Sequence, residues 1–215
     1  MIEPPTSNYG LGLDTTSPVL TLALGQVDGV HRSRSWHLDR EISSQLHPLL
    51  RAFIKPQQWH DLAWISVLKG PGSFTGTRIG VVSARTLAQQ LNIPLFGFSN
   101  LAIAAWASAH QQGIQGAWRV AVSQAGQRGY TYGAIYEVQP KTGTLNALKT
   151  DHSFSTEDWN QFLVTEQPNF DVHLKHEPPQ TTDFEQLGQA MLTLGWNAWQ
   201  QGARPQWEET LPYYG

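Results

Sequence analysis

The chain has no cysteine among its 215 residues, few charges and no long apolar run. The first absence excludes disulfides, thiolate zinc centres and a cysteine nucleophile. Charged residues are 14% of the chain, against roughly 25% in an average soluble domain, so glutamine, serine, threonine and histidine carry much of the surface. Such a surface suits being covered by a partner. A formal net charge of −3 supplies no broad basic field and argues against a protein that grips nucleic acid alone. No apolar stretch approaches the length of a membrane span, and the opening MIEPPTSNYG has neither a basic nor an apolar leader region, so the expectation is a cytoplasmic chain away from membranes.

What the chain does have is aromatic weight and punctuated apolar periodicity. Nine tryptophans fit either core filling or a half-buried binding surface. LGLDTTSPVLTLALG, from residue 11, reads as two strands joined by the turn DTTSP, with a polar third strand over 31–38. EISSQLHPLLRAFI then places Ile42, Leu46, Leu49, Leu50, Phe53 and Ile54 on one helix face, and Pro48 is expected to kink it.

LAWISVLKG (62–70) suits a buried strand, followed by a Gly-rich loop, a helix to about Leu91, a strand over 94–99 and an apolar helix over 100–110. After QQGIQG come strands at 118–123 and 130–138, with a further one at TGTLNALKT. A helix capped by Ser155 or Thr156 follows, and the chain ends with a long amphipathic helix from DFEQLG. The stretch TEQPNFDVHLKHEPPQTTD between those two helices reads as loop. The lobes divide as 1–110 and 111–215, with room for the last residues to pack back on the first lobe.

The loop KGPGSFTGTRIGVVSA (69–84) sits ahead of a helix, where free N–H groups favour anions. It is not a Walker A loop, since no Lys follows its glycines. It is not a dinucleotide fingerprint, since Thr75 stands where a third Gly belongs, and Pro71 spoils a nucleophile elbow around Ser73. Two readings remain: an anion site, kept or vestigial, or a helix start with Thr75 as N-cap and Phe74 against Ile79 as a hydrophobic staple. Asp14, Thr15 and Thr16 allow the same pair of readings, a carboxylate and hydroxyls near a phosphate or a hairpin turn held by its own side chains.

Within the helix, Gly76, Gly80, Ala84 and Ala88 form a small face that implies a close neighbour. Ile79, Val82, Arg85, Thr86 and Gln89 lie on another side. The eight histidines include no HExxH and no i, i+4 pair, and His173 with His176 falls in the Pro-flanked loop, so no metal centre is expected.

Together LGLDTTSPVLTLALG, ISSQLHPLL and KGPGSFTGTRIGVVSARTLAQQLNIPLFGFSNLAIAA resemble the amino-terminal lobe of the TsaB (YeaZ) family over residues 11–106, and EETLPYYG resembles that family's closing Pro and Tyr. The resemblance implies an α/β fold of the actin, Hsp70 and sugar-kinase type, two ribonuclease-H-like lobes of mixed sheets flanked by helices. It implies a non-catalytic scaffold that activates TsaD, with the ATPase TsaE, in forming threonylcarbamoyladenosine beside the anticodon of ANN-decoding tRNAs. The tRNA is reached through the complex, a homodimer forms when the chain is alone, and no cofactor is carried.

It also turns Ile79, Val82, Arg85, Thr86 and Gln89, with Leu46, Leu49 and Leu50, into the expected partner interface. Asp14, Thr15, Thr16, Gly72 and Ser73 become a vestigial nucleotide or phosphate site. The chain departs from the family at Ile42 and Ser43, where His then Ser is usual, at AGQRG (125–129), and at PNFDVHLKHEPP, which replaces a usual strand. An active ATPase or phosphotransferase of the same superfamily is the alternative, and a peptidase the remotest one.

Overall fold

The computed structural model describes residues 9–26, 31–177 and 184–214. The opening residues 1–8 and part of the expected loop, 178–183, lie outside the described residues.

The apolar segment at the start forms β1 (Tyr9–Asp14) and β2 (Val19–Gly25), an antiparallel pair around DTTSP, and β3 (Arg32–His37) joins the outer edge of β2. α1 (Ile42–Phe53) continues through Pro48, which lies on its exposed side and removes one helical hydrogen bond. β4 (Leu62–Leu68), α2 (Phe74–Leu91), β5 (Leu95–Phe98) and α3 (Asn100–Gln111) follow. Asn92 ends α2 in the left-handed region at φ 53°, a conformation its short polar side chain tolerates. The first sheet has the order β3-β2-β1-β4-β5, with β1, β4 and β5 parallel.

The second sheet is built from β6 (Trp118–Ala125), β7 (Tyr130–Gln139), β8 (Thr144–Ser155) and β9 (Val172–His176) in the order β8-β7-β6-β9. Its pairing repeats that of β3-β2-β1-β4: two antiparallel pairs and then a parallel one. β9 corrects the loop reading of 165–183, and it stands where the family strand looked absent. It is five residues long at a sheet edge, with His at two of its five positions and only Leu174 packed on the core, so its apolar alternation is too weak to read.

α4 (Thr156–Glu166), capped by the Ser155 hydroxyl, covers the outer face of β7 and β8, and α5 (Phe184–Gln200) is the last long helix. The strands of the two sheets lie on either side of residue 111, whereas the central helices are exchanged across it. α3, from the first half, packs on β6, β7, β8 and β9, while α5, from the second half, packs on β1, β2, β3 and β4. Gly195 lets α5 settle there, since a Cβ at that position would stand 2.2 Å from Ser66 Oγ.

The resulting layers are α1 and α2, the first sheet, α3 and α5, the second sheet, and α4. One core fills the space between α1, α2 and the first sheet (Leu11, Leu13, Leu22, Leu46, Ile65, Val81), and another the space around α3 (Leu101, Ala105, Trp106, Val120, Tyr136, Met191). At about 25 cal/mol per Å², fully burying each large aliphatic side chain contributes about 1.5–3 kcal/mol.

Candidate functional site

Where β1 meets its turn, Asp14 is sealed from solvent, and its Oδ1 accepts from the Thr16 backbone N–H and the Thr16 hydroxyl, both at 2.7 Å. Burial pushes the Asp14 carboxyl up from its ordinary value, and these two hydrogen bonds pull the other way. Thr15 turns inward instead: its Oγ1 donates to the Gly76 carbonyl at 2.7 Å. The small face of α2 thus meets this chain's own turn. A Cβ on Gly76 would stand 2.1 Å from the Thr15 carbonyl oxygen, and one on Gly80 2.1 Å from Thr15 Oγ1.

The loop ahead of α2 closes on the same turn. The Ser73 N–H donates to the Thr16 carbonyl at 2.6 Å, and a Cβ on Gly72 would approach that oxygen to 2.4 Å. Ser73 is the N-cap of α2, accepting from the Gly76 N–H at 3.2 Å, which corrects the assignment of Thr75 and with it the Phe74–Ile79 staple. Phe74 instead packs against Tyr214 of the C-terminal segment, ring centroids 4.5 Å apart and planes tilted by 36°, a partner more than a hundred residues away in sequence. Asp14, Thr15, Thr16, Gly72 and Ser73 are therefore brought together as expected. They satisfy one another, N–H to carbonyl and hydroxyl to carboxylate.

The two loops floor a cleft of about 540 Å³ between the sheets, walled on the far side by β6, β7 and the C-terminal segment. Asn100, at the start of α3, reaches it with its Nδ2 donating to Thr16 Oγ1 at 2.6 Å, and Gln124 of β6 donates from Nε2 to the Pro71 carbonyl at 3.5 Å. Tyr213, held by its N–H to the Lys69 carbonyl at 2.7 Å, borders both this cleft and a second cavity of about 420 Å³.

In that second cavity the half-buried Asp151 of β8 accepts from the Ser99 and Tyr136 hydroxyls. Burial raises the Asp151 carboxyl above its usual range, against these donors and the nearby Lys69 charge. Tyr136 is raised by burial and by the Asp151 charge, so it stays a donor, and the Tyr213 phenol is pushed up to about 12, chiefly by burial.

His173 and His176 are three apart on β9 and so face opposite sides of the sheet. His173 Nε2 lies 2.8 Å from Ser123 Oγ, whereas His176 borders the cleft, with burial holding its imidazole below the ordinary value. Among the described residues, no three His, Asp or Glu side chains gather as metal ligands, and no helix is long and apolar enough to cross a membrane.

The expected partner residues separate into two groups. Leu46 and Leu50 are buried between α1 and the first sheet, which corrects their place as surface contacts, and Leu49 is half-buried beside them. On α2, Val82 is 50% exposed, Thr86 and Gln89 are exposed, and Ile79 and Arg85 are half-buried. Arg85 has an internal partner as well, its guanidinium lying 5.2 Å from the Trp207 ring. Sequence reasoning missed Asn100, Gln124, Asp151 and the inward role of Tyr213. The polar residues stand alone in otherwise apolar or unpatterned segments, and only distant chain brings them together.

A sequence model of the family described as "TsaD: tRNA N6-adenosine threonylcarbamoyltransferase" matches residues 37–196. The tRNA threonylcarbamoyladenosine biosynthesis protein TsaB of Bacillus subtilis (strain 168) is 33% identical over 158 residues, 71% of this chain and 65% of that protein. The protein of the same description from Escherichia coli (strain K12) is 31% identical over 111 residues, 51% of this chain and 44% of that protein. The matched regions thus span less than two thirds of the length of these relatives. A solved structure of YeaZ from Pseudomonas aeruginosa superposes with a TM-score of 0.73 at 23% identity, covering 97% of this chain and 100% of that chain. The two-sheet, helix-flanked fold is that of YeaZ.

Proposed function

We propose a supporting role in tRNA modification for this chain, which belongs to the TsaB (YeaZ) family of tRNA threonylcarbamoyladenosine proteins and matches the TsaD model. In this reading it is a non-catalytic scaffold and activator in the cytoplasm, working beside TsaD and TsaE to form threonylcarbamoyladenosine next to the anticodon of ANN-decoding tRNAs. It meets TsaD helix to helix, pairs with itself when alone, and reaches tRNA through the complex.

The observation that carries this reading is the outward face of α2. Its opposite face is consumed by close packing on Thr15, yet Val82 stands half exposed between Ile79 and the exposed Thr86 and Gln89. Val82, an apolar residue exposed on the helix surface among Arg78, Ile79, Arg85 and Thr86, suits burial against a second helix with polar groups at its rim. Consistent with a scaffold, the loops that would cradle a phosphate bond to each other through Ser73 and Thr16.

The test is threonylcarbamoyladenosine formation on an ANN-decoding tRNA, reconstituted with TsaD and TsaE of the same organism, with and without this chain. Dependence on the chain, together with its co-elution with TsaD, is the expected result. Equal modification in its absence would remove the proposal.

A further inference from the structure

We propose that the surface where β3 meets the end of α1 binds the phosphate backbone of RNA directly, giving this chain a contact of its own with the tRNA that the proposed function brings to it through a complex. Charge is segregated along the chain. Residues 32–60 carry five Lys or Arg and two carboxylates, net +3, whereas the other residues carry nine against fifteen, net −6. From Ile42 to His60 there is no Asp or Glu at all. A basic segment inside an otherwise acidic chain points to a polyanionic partner at that surface.

The fold gathers these cations at one place. Arg32, Arg34 and Trp36 alternate along β3, an edge strand, and share the side of the sheet that α1 covers. Arg32 lies over the Phe53 ring at 5.2 Å, and its Nη2 donates to the Phe53, Ile54 and Lys55 carbonyls at 2.8, 2.9 and 2.9 Å. It thereby satisfies the end of α1 and holds Lys55 beside the strand. Trp36 meets Phe53 edge-on at 6.1 Å, and Arg34 lies over the Trp36 ring at 5.1 Å. Arg51 stands about one turn before Lys55, on the same side of the helix end.

Arg34, Arg51 and Lys55 are exposed, and among the described residues none of them has a carboxylate within ion-pair distance. Asp39, at the far end of β3, lies 3.3 Å from His37 instead. Three such cations around a half-buried indole suit a ribose-phosphate chain, with the cations on phosphates and the Arg34–Trp36 stack against an unpaired base. An acidic protein would gain nothing from the ring, so the stack favours RNA. Three phosphate contacts make a modest, salt-dependent affinity, in keeping with a chain whose remaining charge repels RNA.

The patch shares no residue with the outward face of α2, and it rests on the proposed function only for the identity of the RNA. The test is binding of the full chain to an unmodified ANN-decoding tRNA transcript, followed by fluorescence anisotropy at salt concentrations from about 50 to 200 mM. Binding should tighten as salt falls, with log K against log salt sloping at about −2 to −3. Arg34→Ala, Arg51→Ala and Lys55→Ala combined, all at exposed positions and with the fold checked by circular dichroism, should weaken binding roughly tenfold or more at about 50 mM salt and flatten that slope. Arg34→Lys keeps the charge and should keep the slope. Lys141→Ala with Lys175→Ala, exposed cations of the second lobe, should change neither affinity nor slope. Because the readout is RNA binding by the chain alone, its failure leaves the modification assay untouched, and modification that proves independent of the chain leaves this binding measurable. No tRNA bound by wild type at about 50 mM salt, or a combined variant that binds like wild type, overturns the proposal and leaves the arginines as guards of a sheet edge. A combined variant that keeps tRNA but no longer co-elutes with TsaD also overturns it, and assigns the patch to an acidic protein.

Discussion

Ser99, the residue that caps α3, donates its hydroxyl to the carboxylate of Asp151 on β8 and so ties the end of the first sheet to the edge strand of the second. The same oxygen accepts from the Leu101 N–H at 3.0 Å. One hydroxyl therefore serves both a helix start and the contact between lobes.

Ser99→Ala removes both roles and leaves a half-buried carboxylate short of a donor. Its expected cost is about 1–3 kcal/mol. Thermal or denaturant unfolding of the variant measures it, and an unchanged midpoint would show that the Ser99–Asp151 contact adds nothing to stability.

Gly76→Ala sets two effects against each other. Alanine gains about 1 kcal/mol of helix propensity. The new Cβ, however, would stand 2.1 Å from the Thr15 carbonyl oxygen, a backbone atom that cannot rotate away. Overpacking of about 1–3 kcal/mol or more outweighs the gain. The unfolding midpoint should fall for Gly76→Ala and hold for Gly116→Ala, where a Cβ meets open space.

The buried Asp14 makes stability depend on pH with a definite sign. Its folded-state value is raised, so between the ordinary carboxylate value of 3.8 and the raised one the folded chain holds more protons than the unfolded chain. That contribution is fully present below the ordinary value and is lost as pH rises through the raised one. Asp14→Asn removes the titration, so wild type should gain stability relative to the variant as pH falls toward 4. A pH series of melting curves checks the slope, and a difference constant with pH would contradict it.

Two substitutions separate surface from core on the proposed partner side. Val82→Glu should leave the chain folded, because the side chain is half exposed, while weakening association with TsaD by putting a carboxylate where an apolar contact is proposed. Leu46→Glu, at a fully buried position, should unfold the chain itself. Circular dichroism and gel filtration with TsaD read both outcomes. An unchanged complex with Val82→Glu would remove the outward face of α2 from the contact.

Period and punctuation were enough to place β1, β2, β4 and α2, because Leu11, Leu13, Leu22 and Ile65 alternate or run together and Asn92 marks a helix end. Local sequence also made Asp14, Thr15, Thr16, Gly72 and Ser73 readable as one turn-and-loop system. It could not show that the system closes on itself, since the Ser73–Thr16 bond joins residues 57 positions apart. Leu46 and Val82 both sit on apolar helical stripes, and only the position of the first sheet decides that one is core and the other surface.

By itself the chain determined most of its elements, its family resemblance and the small face of α2, because these rest on the residue's own shape and on neighbours within a turn or two. The tertiary structure alone decided the exchange of α3 and α5 between sheets, the strand at Val172–His176, and the aromatic cleft that Tyr213 and Tyr214 complete. Each of these depends on burial supplied by distant chain, such as Tyr132 donating to the Tyr214 carbonyl at 3.2 Å, and contacts of that range leave no period in a sequence.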